Sequence, residues 1–186
     1  MNPISDFFKK IIWPLDEIDK FLPSKGLIYD LGCGEGIIAK FLSNSSKDRR
    51  VVGVDSDENR LQNSSHKNLR FIADDIRKFP IKRAEGIVIS DVLHHLTMPD
   101  QKRLLATIAK SLKRGGVLVI KEIDSNEFLR SKLSRLWDWI LYPLDEIFYW
   151  DSKMLKDFMT KLGLRVKIAR PSRFFPGSTT LVVCRK

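Results

Sequence analysis

Three glycines at alternate positions, Gly32, Gly34 and Gly36, follow directly on an apolar run in the stretch YDLGCGEGII (29–38). Glycine adopts left-handed backbone conformations at little cost and lets a ligand approach the main chain closely. A glycine turn that leaves a short buried strand and enters an apolar helix restricts the chain to an α/β arrangement, with the turn at the C-terminal end of a strand.

The remaining segments alternate in the same sense. Residues 5–22 are amphipathic and read as helical, with Pro14 forcing a kink or a break. Strands are expected at 26–31, 49–55, 69–74, 84–91 and 117–123. Helices are expected at 35–44, 57–65 and 100–112, the last ending in the glycine stop KRGG. The link between the third and fourth strands is short for a full helix. Residues 126–150 read as helical and rich in aromatics, and a shorter helix follows at 151–162. Two final strands, 164–170 and 178–185, are joined by PSRFFPG and can pair antiparallel. WPLDEI (13–18) and YPLDEI (142–147) are two similar helix starts with proline in the first turn rather than a repeat.

A chain of 186 residues suits one domain with a sizeable core. No signal peptide and no membrane-spanning run is read from the sequence, and two cysteines, Cys33 and Cys184, suggest a reducing cytoplasm rather than a disulfide framework. No Cys/His cluster has metal-ligand spacing, so no metal is expected. The formal charge of +10 points toward nucleic acid, an anionic membrane or an acidic partner, or simply toward a basic solvated surface. Most of the cations are scattered; after Asp157 no acidic residue occurs at all.

Charge also decides what the loop holds. A nucleoside triphosphate loop needs Lys-Ser/Thr after its last glycine, and here Ile37 and Ile38 stand there. The dinucleotide spacing G-x-G-x-x-G is missed by one residue. Asp30 and Glu35 flank the turn and oppose a pyrophosphate, whereas a cation is welcomed. S-adenosylmethionine carries an ammonium, a sulfonium and one carboxylate, and fits. Asp55 ends the second strand 19 residues after Gly36, where a carboxylate accepts ribose hydroxyls. An Asp of ADDI (73–76), after the third strand, can accept from an adenine amino group.

Taken together, YDLGCGEG, VVGVDSD, FIADDIRKFP, IVISDVLHHL and SLKRGGVLVIKEID resemble the class I S-adenosylmethionine-dependent methyltransferases, in particular small-molecule methyltransferase domains of type 11/12. The resemblance covers roughly Lys25 to Asp124. It implies a Rossmann-like three-layer sandwich with a seven-stranded sheet of order 3-2-1-4-5-7-6, strand 7 antiparallel. It further implies that Asp30, Gly32 and Gly34 contact the methionine part, that Asp55 holds the ribose with Ser56 beside it, and that Ser90 offers its carbonyl to the ammonium. Asp74 or Asp75, with Ile76, would meet the adenine; spacing to Pro80 favours Asp75. One domain is expected, with a helical cap (1–24), a cofactor core (25–124), an aromatic insertion or lid (125–162) and a terminal hairpin (163–186).

Three candidate bases follow the fourth strand: His95, His94 and Asp91. Methyl transfer needs a base only when the acceptor must lose a proton, and histidine suits that task near neutrality. The structural alternatives are that one His lines the pocket while the other packs, and that Asp91 accepts structural hydrogen bonds. Cys33 reads as a space-filler and not a nucleophile. Leu133, Leu136, Trp137, Ile140, Leu141 and Leu144 follow helical spacing and read as core. Trp139, Tyr142, Tyr149 and Trp150 either wall an acceptor pocket, dip into a membrane interface, or pack on Phe7, Phe8, Ile12 and Trp13.

The expected activity is methyl transfer to a small or lipid-like hydrophobic acceptor in the cytoplasm, with peripheral contact at an anionic inner membrane face as a further expectation. Against it stand an RNA or protein methyltransferase and a catalytically silent S-adenosylmethionine-binding scaffold. SDVLHHL (90–96) lacks the Asn/Asp-Pro-Pro-aromatic motif of enzymes that methylate base amino groups, which disfavours nucleic acid.

Overall fold

The structure is a computed structural model, and it describes residues 14–61, 66–123, 148–170 and 179–186. The elements are α1 (Leu15–Phe21), β1 (Gly26–Leu31), α2 (Ile37–Ser45), β2 (Arg49–Asp55), β3 (Leu69–Ala73), β4 (Ala84–Ser90), α3 (Met98–Ser111), β5 (Leu112–Ile123), α4 (Ser152–Lys161), β6 (Arg165–Ala169) and β7 (Thr179–Arg185). They form one seven-stranded sheet of order β3-β2-β1-β4-β5-β7-β6. The pairs from β3 to β5 are parallel, and β7 runs antiparallel to both β5 and β6. The expected Rossmann-like order and the antiparallel seventh strand are both present.

Helices cover both faces of the sheet, which parallel strands require. Alternate residues of β5 divide between them: Val117 and Val119 join Ile18 of α1 and Leu22, just after it, with Ile38 and Leu42 of α2. Leu118 and Ile120 join Leu104, Leu105 and Ile108 of α3 with Leu155 and Met159 of α4. Each fully buried Leu or Ile contributes roughly 1.5–3 kcal/mol. Arg49, 3% exposed, ties α1 to β2: its guanidinium pairs with Asp19, and its Nε donates to the Pro23 carbonyl at 2.7 Å.

Several boundaries differ from those read in the sequence, each for a local reason. The helix expected from Glu35 starts at Ile37, because Gly36 is left-handed (φ 73°) and serves as its N-cap residue. The helix expected over 57–65 is a 3₁₀ turn at Glu58–Arg60, with the Asp57 side chain accepting from the Asn59 amide; 62–65 lie outside the described residues. α3 starts earlier than Asp100, since Thr97 caps it. β5 starts at Leu112 instead of 117: Leu112 pairs with Ala84, and a register shift follows before Gly86 meets Val117. KRGG is therefore strand, and its last two residues bond to Lys186 (Gly115 N to Lys186 O, 2.9 Å; Lys186 N to Gly116 O, 3.0 Å). Of the expected N-terminal helix, Pro14 and α1 are described, while the stretch before Pro14 and most of the aromatic segment, including Trp139 and Tyr142, lie outside the described residues.

Candidate functional site

The C-terminal ends of β1, β2, β3, β4 and β5 open onto one edge of the sheet, where open α/β sheets bind ligands. Two constellations meet there.

The first surrounds the glycine loop. Gly32, Gly34 and Gly36 have φ of 75°, 51° and 73°, a region that side-chain-bearing residues rarely occupy. A Cβ at Gly32 would strike Val92, and one at Gly36 would strike the Phe71 ring, so these two glycines also serve packing. The loop bonds back to β2: Gly32 N and Cys33 N both donate to the Val54 carbonyl, at 2.7 and 3.1 Å. Asp55 is buried and holds the loop from the side. Its Oδ2 accepts from Gly34 N at 2.7 Å and its Oδ1 from Asp57 N at 3.0 Å. Asp30, fully buried, accepts from Ala39 N at 3.0 Å and so ties β1 to α2. Burial pushes its carboxyl up to about 7; the Ala39 amide works against this, and Asp55 adds to it. The Cys33 thiol is pushed far up, first by burial and then by Asp30 and Asp55, which suits filler and not a nucleophile.

Ser56 is exposed next to Asp55. Asp74 Oδ1 accepts from Asp75 N at 2.7 Å, and Asp74 N donates to Asp55 O at 3.0 Å. Asp75 is differently engaged. Arg77 grips it through Nε (2.9 Å) and Nη2 (2.6 Å), and that guanidinium holds its carboxyl below the usual range. A carboxylate already neutralised by arginine is the poorer acceptor for an amino group, so the geometry favours Asp74 where spacing favoured Asp75. The Ile76 side chain packs in the core and is 6% exposed.

The second constellation joins the turn after β4 to the end of β5. Glu122, absent from the candidates read in the sequence, is its centre. Its Oε2 lies 2.6 Å from His94 Nδ1, and its Oε1 accepts from Leu93 N (2.9 Å) and Val92 N (3.2 Å). His94 is 3% exposed, and the Tyr149 ring stacks on it at 5.2 Å and 22°. His95 lies 4.2 Å away, ring to ring, tilted by 45°. Phe148 N donates to His94 O at 2.9 Å, and Gln101 Nε2 bridges the Leu96 and Phe148 carbonyls at 2.8 and 2.9 Å. Trp150 donates its indole N–H to Gln101 and is buried beside Phe158. Of the aromatics left open by the sequence, Trp150 is therefore core and Tyr149 belongs to the site.

Asp91 sits between these groups in a left-handed conformation (φ 55°). Its carboxylate pairs with the buried Lys121 ammonium and accepts from Ser90 Oγ at 3.1 Å. These contacts are the structural role that the sequence left open for Asp91 beside catalysis. The signal for Lys121 and Glu122 was legible in one place: two adjacent charges inside the apolar run VLVIKEI (117–123). Among the described residues no three His, Cys, Asp or Glu side chains gather as metal ligands. No described helix is long and apolar enough to cross a membrane.

Residues 8–167 match the family model described as a methyltransferase domain. A carboxy-S-adenosyl-L-methionine synthase of Actinobacillus pleuropneumoniae is 30% identical over 113 residues, 55% of this chain and 47% of that protein. The chain thus spans about half the length of the curated relatives it matches. An S-adenosylmethionine-dependent methyltransferase of Archaeoglobus fulgidus superposes with a TM-score of 0.73 at 19% identity, over 93% of this chain and 91% of that one. Human N-acetylserotonin methyltransferase, solved with S-adenosylmethionine, gives a TM-score of 0.73 at 18% identity, over 92% of this chain and 51% of that one. At these identities the structural likeness speaks for the fold.

Proposed function

We propose, from the premise that the chain belongs to the methyltransferase domain family, that it binds S-adenosylmethionine in the glycine loop and methylates a small hydrophobic acceptor carrying a hydroxyl or phenol. The observation that carries this reading is the His94–Glu122 contact of 2.6 Å at the strand edge that also holds Asp55 and the loop. The donor set suits the cofactor: Asp30, Asp55 and Asp74 gather carboxylates around a loop of backbone amides, which favours a cation with ribose hydroxyls and disfavours a pyrophosphate. Asp55 would hold the ribose, Asp74 the adenine amino group, and Asp30 with the Gly32–Gly34 backbone the methionine part.

When bound, S-adenosylmethionine supplies an electrophilic methyl group on a good leaving group. The chain's own residues then orient the acceptor and take its proton. Glu122 accepts the Nδ1 proton of His94, which fixes the tautomer and leaves Nε2 as the basic atom. The acceptor O–H proton passes to His94 Nε2 as the oxygen becomes nucleophilic, and the Glu122 carboxylate offsets the imidazolium charge. Tyr149, stacked on His94, excludes water from that side and adds aromatic surface suited to an apolar acceptor.

Calorimetric titration with S-adenosylmethionine, S-adenosylhomocysteine and NAD tests the cofactor. Binding of the first two without NAD is expected, and no binding of either removes the reading. Turnover is then followed with methyl-labelled cofactor on a panel of hydrophobic phenols. The relatives named carboxy-S-adenosyl-L-methionine synthases favour a second reading, in which the cofactor itself is the molecule modified. Mass spectrometry of the nucleoside pool separates the two: a carboxylated nucleoside supports the second, and S-adenosylhomocysteine with a methylated phenol supports the first.

A further inference from the structure

The two ends of the sheet differ in charge. The cofactor end carries Asp30, Asp55, Asp74, Asp91 and Glu122 at strand termini. The opposite end, where the parallel strands begin and β7 finishes, carries exposed Lys25, Lys47, Lys82, Arg83, Arg114 and Arg185. Strand register brings these starts level: Gly26 pairs with Arg49, Ala84 with Leu112, and Arg185 with both Val117 and Arg165. The acids beside them are few. Asp19 is held by Arg49 and Glu85 by Lys113, while Asp48, and Asp157 one turn before Lys161, are exposed.

The patch is two-dimensional. Across the sheet it follows seven strands spaced ~4.8 Å apart, or roughly 29 Å. In depth it takes in helix C-termini on both faces: Lys47 follows α2 on one, and Lys110 and Lys161 lie in the last turns of α3 and α4 on the other. Cations at helix C-termini offset the helix dipole, which accounts for those three but not for the strand starts. The one exposed large hydrophobic side chain among the described residues is Met154, on the outer face of α4.

We propose that this basic end of the sheet is a docking surface for an anionic lipid bilayer. A plane of phosphates and carboxylates complements cations spread along the whole sheet end, and each Lys or Arg near such a surface adds about 1 kcal/mol of attraction. A nucleic-acid track would call for exposed aromatic stacking platforms, and among the described residues no aromatic side chain is exposed. The cofactor edge lies a strand's length away, roughly 20 Å for six residues. Docking thus points the site away from the bilayer, and the acceptor arrives from the water side. This surface does not depend on the methyl-transfer reading.

The test is co-sedimentation of the full chain with phosphatidylcholine vesicles, with and without phosphatidylglycerol, at low and high salt. Sedimentation that requires phosphatidylglycerol and is lost at high salt is expected. The variant Lys82→Glu/Arg83→Glu/Arg114→Glu should lose about tenfold or more in vesicle affinity. Lys78→Glu, at the cofactor end, should behave as the wild type. Circular dichroism melting shows whether the triple variant is folded; if it is not, the single Arg114→Glu change replaces it, with a smaller expected loss. Sedimentation independent of phosphatidylglycerol, undiminished binding by the folded variant, or retention on total RNA with none on vesicles would overturn the proposal.

Discussion

The two halves of the site are built in opposite ways. In the cofactor half, Asp30, the glycine loop and Asp55 lie within 26 residues, and each side chain bonds to a backbone amide of the same β1–α2–β2 unit. In the acceptor half, His94 meets Glu122 from 28 residues away, and Gln101 receives Phe148 and Trp150 from 47 and 49 residues away. A local turn announces itself through glycine spacing. A side-chain pair across two strand ends exists only once the sheet has set their register.

If the halves are separable, substitutions in one leave the readout of the other unmoved. The largest effect is expected at His94→Ala, which should slow turnover by about a hundredfold to ten-thousandfold while cofactor affinity stays near wild type. Steady-state kinetics paired with calorimetry reads both, and wild-type turnover would remove His94 from the reaction. Glu122→Gln should cost less in rate, about tenfold to a hundredfold, and displace the acidic limb of the pH–rate profile, because the ring loses the carboxylate that fixes its tautomer. A variant that only lowers the melting temperature, with an unmoved profile, would make Glu122 a structural cap of Val92 and Leu93.

In the other half, Asp55→Ala leaves Gly34 N without its acceptor. Cofactor affinity should fall about tenfold, with the rate at saturation held. A change confined to the maximal rate would break the division between the halves.

The smallest effect is expected at Asp30, and it is a slope. The folded protein keeps this carboxyl protonated to about pH 7, whereas an ordinary aspartate ionises near 3.8. The folded state therefore binds more protons in that window, and the contribution of Asp30 to stability declines as pH rises from about 4 to about 7, then levels off. Asp30→Asn should flatten that decline in urea titrations. Affinity for the cationic cofactor should rise in the wild type as pH passes through about 7, where the folded protein's Asp30 ionises beside it, and Asp30→Asn should lose that rise. An unchanged slope in either measurement would place the titration elsewhere.

Some of this was legible beforehand because it rests on near-neighbour chemistry. The glycine positions, the carboxylates at strand ends and the antiparallel final pair follow from local spacing, and the sheet order follows from the resemblance those motifs support. Other features depend on partners that local spacing does not show. Asp75 outranked Asp74 by spacing, but Arg77, two residues on, claims it. Asp91, open in the sequence between a base and a structural acceptor, has Lys121 of β5 placed against it. Trp150, open in the sequence between pocket wall, membrane contact and packing, is fastened to α3 by Gln101.

By itself, the sequence determined the local chemistry: a strand that ends in a left-handed glycine turn, acids where a cation is welcome, and a histidine pair after the fourth strand. The tertiary structure alone decided which histidine has a carboxylate behind it, which aspartates are already engaged, and that the cations of many separate segments share one end of the molecule. Charge and glycine act over a few residues and leave their mark in sequence order. Partner choice across a sheet depends on strand register, and register is settled only when the faces of the sheet are buried together.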